Sequence, residues 1–228
     1  MGTLIVIEGA LDGIGKSTQF DLLKKELEKY RNVISHHFPT YDEYQGRPVI
    51  EYLKGTFGKP NELSPYFINT LYAVDRKITW EEKLKEGYQN DDIVLLDRYT
   101  TSSLIYQSAL IDNIDEKNKF LDYIIDYEYN KLEIKKPDIV IFLTAPFDLI
   151  TNLRNKRLEE SGEQIKGDIH EKDLSFMKKV YESSIYCANY FNWKIINCAD
   201  ENGFKSIEKI HSEIKKCLKE ELCLKRKK

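Results

Sequence analysis

Ile7-Glu8-Gly9-Ala10-Leu11-Asp12-Gly13-Ile14-Gly15-Lys16-Ser17-Thr18 is the stretch on which the fold turns. It follows an apolar run over residues 4–7, short enough for one buried strand. It leads into residues 19–30, where Phe20, Leu23, Leu27 and Tyr30 recur at helical spacing. Strand, glycine-rich turn, Gly-Lys-Ser and helix together form the context that a phosphate-binding P-loop requires. Glycines let the backbone bend and aim its N–H groups at polyphosphate oxygens, and the helix adds its positive N-terminal end. In such a loop Gly9, Asp12, Gly13, Ile14, Gly15, Lys16, Ser17 and Thr18 surround a nucleotide. Lys16 reaches its β- and γ-phosphates, and Ser17 offers a hydroxyl to Mg²⁺. One departure stands out: the strict pattern has glycine where this chain has Ala10. Either Ala10 substitutes at little cost, or the turn holds one extra residue and Gly9 is the leading glycine. An ordinary strand-to-helix turn is the plain alternative.

The length of 228 residues suits one α/β domain, and residues 1–228 are read as a single unit. A hydrophobic share of 41% is enough for a core. The formal net charge of −3 argues against a broad nucleic-acid-binding surface, though not against a local basic site for phosphates. No apolar run approaches the ~18 residues of a membrane span, so the simplest expectation is a cytoplasmic protein without a membrane partner. Cys187, Cys198, Cys217 and Cys223 lack Cys-x-x-Cys spacing and do not cluster with histidine, so reduced structural thiols are expected. His36 and His37 are adjacent on an expected strand and so point to opposite faces, which disfavours a shared metal. The basic ending at 224–228 reads as a solvated tail.

Apolar β-type runs recur at 4–7, 33–38, 93–96, 139–143 and 195–196, with longer helical patterns between them. Continuous rather than alternating apolar strands imply burial on both faces. We therefore expect a three-layer α/β fold with a five-stranded parallel sheet covered by helices. Active residues of such sheets gather beyond the carboxyl ends of the strands, which selects the Gly9–Ser17 turn and the segments after the later strands.

After the second strand comes Phe38-Pro39-Thr40-Tyr41, where proline stops the strand and an aromatic stands on each side; the next helix is expected near Pro48. A helical stretch over 64–85 carries Tyr72 and Arg76 one turn apart. An aromatic plate beside a guanidinium suits a base, but from spacing alone a core tyrosine and a surface ion pair is the stronger reading. The third strand ends in Asp97-Arg98-Tyr99, and a carboxylate there suits a Walker-B role toward Mg²⁺ unless the charge pair merely caps the strand. Ser102, Tyr106 and Gln107 follow; the amide of Gln107 offers the donor and acceptors that a pyrimidine edge requires. After the fourth strand a helix ends in Leu153-Arg154-Asn155-Lys156-Arg157, before a polar, glycine-containing stretch at 159–167. Arginines beside a flexible polar loop suit a mobile lid, roughly 154–168, that brings positive charge to a transferring phosphoryl group; a solvated helix face is the rival reading. A last amphipathic helix is expected over 204–218.

Together these pieces resemble the thymidylate kinase family of P-loop nucleoside monophosphate kinases, over nearly the whole chain. The resemblance rests on Glu8-Gly9…Asp12-Gly13-x-Gly15-Lys16-Ser17-Thr18-Gln19, Phe38-Pro39-x-Tyr41 and Tyr72-Ala73-x-Asp75-Arg76. It continues with Asp97-Arg98-Tyr99-x-x-Ser102-x-x-x-Tyr106-Gln107, the lid arginines and Asp168-x-x-Glu171. The block from Asp97 to Gln107 is the most specific part, since the P-loop is common to many unrelated proteins. The resemblance implies that Tyr72 stacks on thymine and Arg76 bonds its carbonyl. It places Ser102 and Gln107 at the far edge of the base, and Phe38, Tyr41 and Tyr106 alongside the acceptor. It also implies that Arg98 holds the acceptor phosphate, that Asp12 lies near the 3′-hydroxyl and the arginine clamp, and that Ser17 and Asp97 serve Mg²⁺.

Two departures from the family pattern qualify this reading. An arginine is common just after Phe-Pro or one residue later, where this chain has Thr40 and Tyr41, unless Arg47 swings in. No basic residue follows Gly13 inside the loop, which leaves Arg154 and Arg157 of the lid as the catalytic arginines beside Lys16 and Arg98. The expected activity is transfer of the ATP γ-phosphoryl group to dTMP, with ATP and Mg²⁺ as cofactors and a homodimer implied by resemblance only. A deoxynucleoside kinase, another pyrimidine monophosphate kinase and a catalytically weak nucleotide-dependent switch are the alternatives.

Overall fold

A computed structural model describes residues 1–161 and 174–222, the side chains of 157–161 and 222 excepted. The first apolar run is continuous because it is covered on both sides. Leu4 and Val6 pack with Trp80, Tyr88, Val94 and Leu96, whereas Ile5 and Ile7 pack with Leu23, Leu27, Phe120 and Ile141. Successive strand side chains point to opposite faces, so a strand between two cores must be apolar at every position.

In chain order the elements are β1 (Thr3–Gly9), α1 (Lys16–Leu27), β2 (Val33–His37), α2 (Arg47–Leu53), α3 (Pro65–Thr79), α4 (Lys85–Gln89) and β3 (Ile93–Asp97). They continue with α5 (Thr100–Tyr106), α6 (Ile114–Ile125), β4 (Ile139–Thr144), α7 (Phe147–Ser161), α8 (Leu174–Tyr190) and β5 (Lys194–Asn197). A small hairpin, β6 (Ala199–Asp200) and β7 (Gly203–Phe204), precedes α9 (Ile207–Leu222). The main sheet is parallel with order β2-β3-β1-β4-β5. The register sets Ile7 beside Asp97, Asp97 beside His37, and Gly9 beside Leu143. The ends of β1, β2 and β3 therefore deliver the glycine-rich turn, a histidine and a carboxylate to one edge of the sheet. A five-stranded parallel sheet of this order, with a Gly-Lys-Ser turn after its central strand, is a P-loop NTPase fold.

Several expected boundaries move. The helical stretch at 64–85 widens into a π-type turn at Trp80–Leu84 and runs on to Gln89, because Trp80 and Leu84 both turn into the core. The last helix starts at Ile207 rather than 204, since Phe204 pairs with Ala199 in the hairpin and Gly203 takes the turn at φ 106°. The second strand stops at His37, one residue short of Phe38. Cys187 and Cys198 are buried and free, and burial pushes each thiol up to about 12, as suits inert structural groups. Cys223, the tail at 224–228 and residues 162–168 of the stretch expected to form a lid lie outside the described residues.

Candidate active site

The turn after β1 takes its shape from two glycines in the left-handed region, Gly13 at φ 92° and Gly15 at φ 93°. Gly15 caps α1, no side chain occupies that cap, and the first turn holds no acid. The leading N–H groups of a twelve-residue helix thus stay open to an anion. The Ala10 alternatives also resolve. A Cβ on Gly9 would fall 2.9 Å from Ile14 Cγ2, a buried β-branched side chain. Ala10 carries its own Cβ into the core and donates its N–H to the Leu143 carbonyl at 2.9 Å. Glycine is demanded at 9 and not at 10, so the turn holds one extra residue.

Lys16 is buried at the foot of this turn and bonds Asp97, whose other oxygen lies 3.0 Å from His37 Nδ1. Burial alone would raise the Asp97 carboxyl. The His37 hydrogen bond and the charge and hydrogen bond of Lys16 outweigh it and bring it down to about 2. His36 turns the other way, to Thr40 Oγ1 at 2.9 Å, so the two histidines serve different sites as their alternation requires.

Arg98 follows at φ 65°, a left-handed conformation that costs a non-glycine residue on the order of 1 kcal/mol. Its N–H still joins the sheet through the Ile7 carbonyl, while its guanidinium pairs with Asp12 on the turn after β1 and lies 3.9 Å from Glu8. Burial lowers an arginine, but here Asp12, Tyr106 and Glu8 raise it well above its ordinary value. Asp12 is held low in return, its desolvation offset by Arg98 and Lys16. The Tyr106 ring sits 5.5 Å from the guanidinium. Beneath them Glu8, fully buried in β1, accepts from Thr101 at 2.8 Å and Ser102 at 2.6 Å.

Behind the turn opens a cleft of about 870 Å³, its open mouth included. Asp12, Phe38, Tyr41, Tyr72, Arg76, Arg98, Ser102, Tyr106, Gln107 and Arg154 all line it. The structure thus brings together the whole set that the sequence singles out for the acceptor. Tyr72 is half-buried, its ring edge-on to Tyr52 at 6.2 Å. Arg76 corrects the surface ion pair that spacing favoured: it is 1% exposed and clasps the buried Glu128 by Nε at 2.7 Å and Nη2 at 2.6 Å. Asn69 and Ser103 also accept from Nη2. The Gln107 Oε1 and Asn69 Nδ2 are buried without a hydrogen-bond partner among the described residues.

Phe38 is buried with its ring 5.7 Å from Tyr99, and Tyr41 stacks on His37 at 5.9 Å. Thr40 is turned inward, its N–H donated to Asp75 at 2.8 Å, and Arg47 is exposed and does not line the cleft, so it does not fill the place of the missing arginine. Arg154 on α7 lies against Gly13, where a Cβ would meet it at 3.3 Å. The Arg157 side chain, Asp168 and Glu171 lie outside the described residues. Sequence reasoning assigned no role to Glu8, His37, Asp75 or Glu128. Glu8 was betrayed by its charge within an apolar strand. Glu128 was betrayed by its place one turn beyond Ile124, on the face that carries Phe120 and Leu121 into the core.

A P-loop whose lysine meets a carboxylate from the neighbouring strand, opening onto a cleft lined by arginines, is the arrangement of a P-loop kinase. Residues 7–214 match the family model described as thymidylate kinase. A probable thymidylate kinase of Thermococcus onnurineus is 34% identical, covering 96% of this chain and 98% of its own. One of Methanocaldococcus jannaschii is 32% identical, covering 92% of each. In fold the chain is similar to the thymidylate kinase of Candida albicans, with a TM-score of 0.70 at 24% identity, covering 96% and 92% of the two chains. The chain belongs to the thymidylate kinase family, and is an ATP-dependent nucleoside monophosphate kinase.

Proposed function

We infer that the chain transfers the γ-phosphoryl group of ATP to the 5′-phosphate of dTMP, giving ADP and dTDP. The observation that carries this is the polar make-up of the cleft's buried end. An unpartnered Gln107 amide oxygen and the Arg76 guanidinium line the same cleft as the half-buried ring of Tyr72, one turn before Arg76 on α3. A pyrimidine with a carbonyl and an N–H along one edge answers both demands, and the ring answers its face.

In this reading the backbone N–H groups from Gly13 to Thr18 and the Lys16 ammonium hold the ATP phosphates, with Gly9 and Ile14 shaping the turn. Ser17, exposed on the first turn of α1, and Asp97 are oxygen donors that fit Mg²⁺ arriving with the nucleotide. Among the described residues no three acidic, histidine or cysteine side chains gather to hold a metal. When bound, that ion supplies charge neutralisation between the phosphates. Arg98 takes the acceptor phosphate, with Asp12 as its partner, Tyr106 beside it and Ser102 below; Phe38 and Tyr41 flank the acceptor. An anionic oxygen of dTMP bonds to the γ-phosphorus as the bond to the ADP oxygen breaks, so no proton has to move. Alignment and charge neutralisation are then the whole of catalysis, with Arg154 and Arg157 adding charge from α7.

Phe67 and Val74, exposed one heptad apart on α3, give an apolar face to the homodimer that this reading includes. A cytoplasmic site of action belongs to the same reading. Among the described residues no helix is long and apolar enough to cross a membrane.

An ADP-release assay with ATP, Mg²⁺ and dTMP, dUMP, dCMP, UMP, thymidine or no acceptor tests it. Preference for dTMP is expected. Preference for thymidine would make the protein a nucleoside kinase, and ATP binding without transfer to any acceptor would make it a switch.

A further inference from the structure

The guanidinium of Arg76 owns five N–H groups. Nε and one N–H of Nη2 go to Glu128, and the second N–H of Nη2 is shared by Ser103 and Asn69. That leaves Nη1, engaged among the described residues only by a long 3.4 Å contact to the Tyr99 carbonyl, as the donor offered to the cleft that Arg76 lines. The choice of Nη1 is made by Glu128. This carboxylate is 0% exposed, sits in a π-type turn at Asp126–Lys131 just after α6, and spends both oxygens on the clasp. Thr100 adds a third bond to it at 2.8 Å, fixing its rotation as well as its position. Two parallel bonds between a planar fork and a carboxylate define a plane, so the guanidinium cannot swivel while the pair is intact.

We propose that Glu128 is a positioning residue that sets base selectivity, by locking Arg76 so that its Nη1 donor cannot turn away from the 4-position of the acceptor base. A 4-carbonyl meets that donor, whereas a 4-amino group sets donor against donor and leaves buried polar groups unpaired, the kind of mismatch that discriminates most strongly. Released from the clasp, Arg76 can turn aside and the penalty on the amino group fades. The proposal rests on the reading of the cleft as a pyrimidine monophosphate site.

The test compares wild type, Glu128→Gln, Arg76→Ala and the double variant for kcat and KM with dTMP, dUMP and dCMP, and for the KM of ATP. Glu128→Gln is expected to lower the dTMP:dCMP ratio of kcat/KM by about tenfold or more, mainly through the KM of dTMP, while the KM of ATP stays within about twofold. In the Arg76→Ala background the same change is expected to leave the ratio where it is, because the lever through which Glu128 acts is gone. An unchanged ratio in folded Glu128→Gln overturns the proposal, as does an equal further fall in the Arg76→Ala background. Should Glu128→Gln fail to fold, Thr100→Val and Ser103→Ala loosen the clasp from either side without removing a charge. A severalfold fall in the ratio supports the proposal, and no change in either variant overturns it. A wild type that leaves every pyrimidine monophosphate untouched removes the parent reading itself, and is seen before any variant is made.

Discussion

In the proposed function Lys16 and Arg98 each meet an incoming phosphate with a carboxylate already in hand, Asp97 for the one and Asp12 for the other. Those partners hold the two side chains in place before nucleotides arrive, so each cation acts without first having to be ordered. Lys16→Ala and Arg98→Ala are expected to lower turnover with ATP and dTMP by about a hundredfold or more while circular dichroism stays that of the native protein. Near-normal turnover in either variant would remove that residue from the mechanism. Both residues were legible from the sequence because each stands beside a pattern with a chemical reason, Gly-Lys-Ser and strand-Asp-Arg. The burial of Arg76 was not legible. Its partner lies 52 positions away, and spacing along one helix says nothing about a carboxylate arriving from another.

At the scale of elements, the segment after β2 is held by close approach rather than by charge. Gly46 stands over Thr40 so tightly that a Cβ would fall 1.8 Å from the Thr40 carbonyl oxygen. Its φ of −81° suits any residue, so space and not conformation demands glycine there. Gly46→Ala is expected to destabilise the protein by about 3 kcal/mol or more in urea unfolding and to raise the KM of the acceptor, because Thr40 and its neighbours Phe38 and Tyr41 must shift. A variant of unchanged midpoint would show that the segment gives way freely. Strands were the most readable elements, since a run that is apolar at every position has to lie between two packed layers. Helix limits were less so: nothing in the periodicity near Trp80 or Asp126 announces a widened turn, and Phe204 fits a helix stripe as well as it fits a hairpin.

On the scale of the molecule, the order of strands was invisible in the sequence, because an apolar run fixes that a strand is buried and not which strands flank it. The cleft depends on that order: β3 beside β1 puts Asp97 next to Lys16, and β2 beside β3 adds His37. The same arrangement ties stability to acid. With the Asp97 carboxyl at about 2 in the folded protein against an ordinary 3.8, the unfolded chain takes the proton more readily. The contribution, about 2 kcal/mol, is complete above pH ~4 and is lost as pH falls toward ~2. Thermal midpoints from pH 6 to pH 3 are expected to show wild type losing its lead over Asp97→Asn below pH ~4. A lead as large at pH 3 as at pH 6 would mean that it does not come from the ionised Asp97.

The pairing of Lys16 with Asp97 and of Arg98 with Asp12 has one more consequence, felt in the solvent. These cations hold few small anions of their own, because the chain neutralises them from within. In the proposed function nucleotide binding is then an ion exchange inside the protein, carboxylate for phosphate, expected to return little chloride to the bulk. The KM values for ATP and dTMP should accordingly climb with added KCl less steeply than two fully exposed cations would require. A series from low to high KCl measures the slope, and a steep rise would mean that the pairs open before the nucleotides arrive.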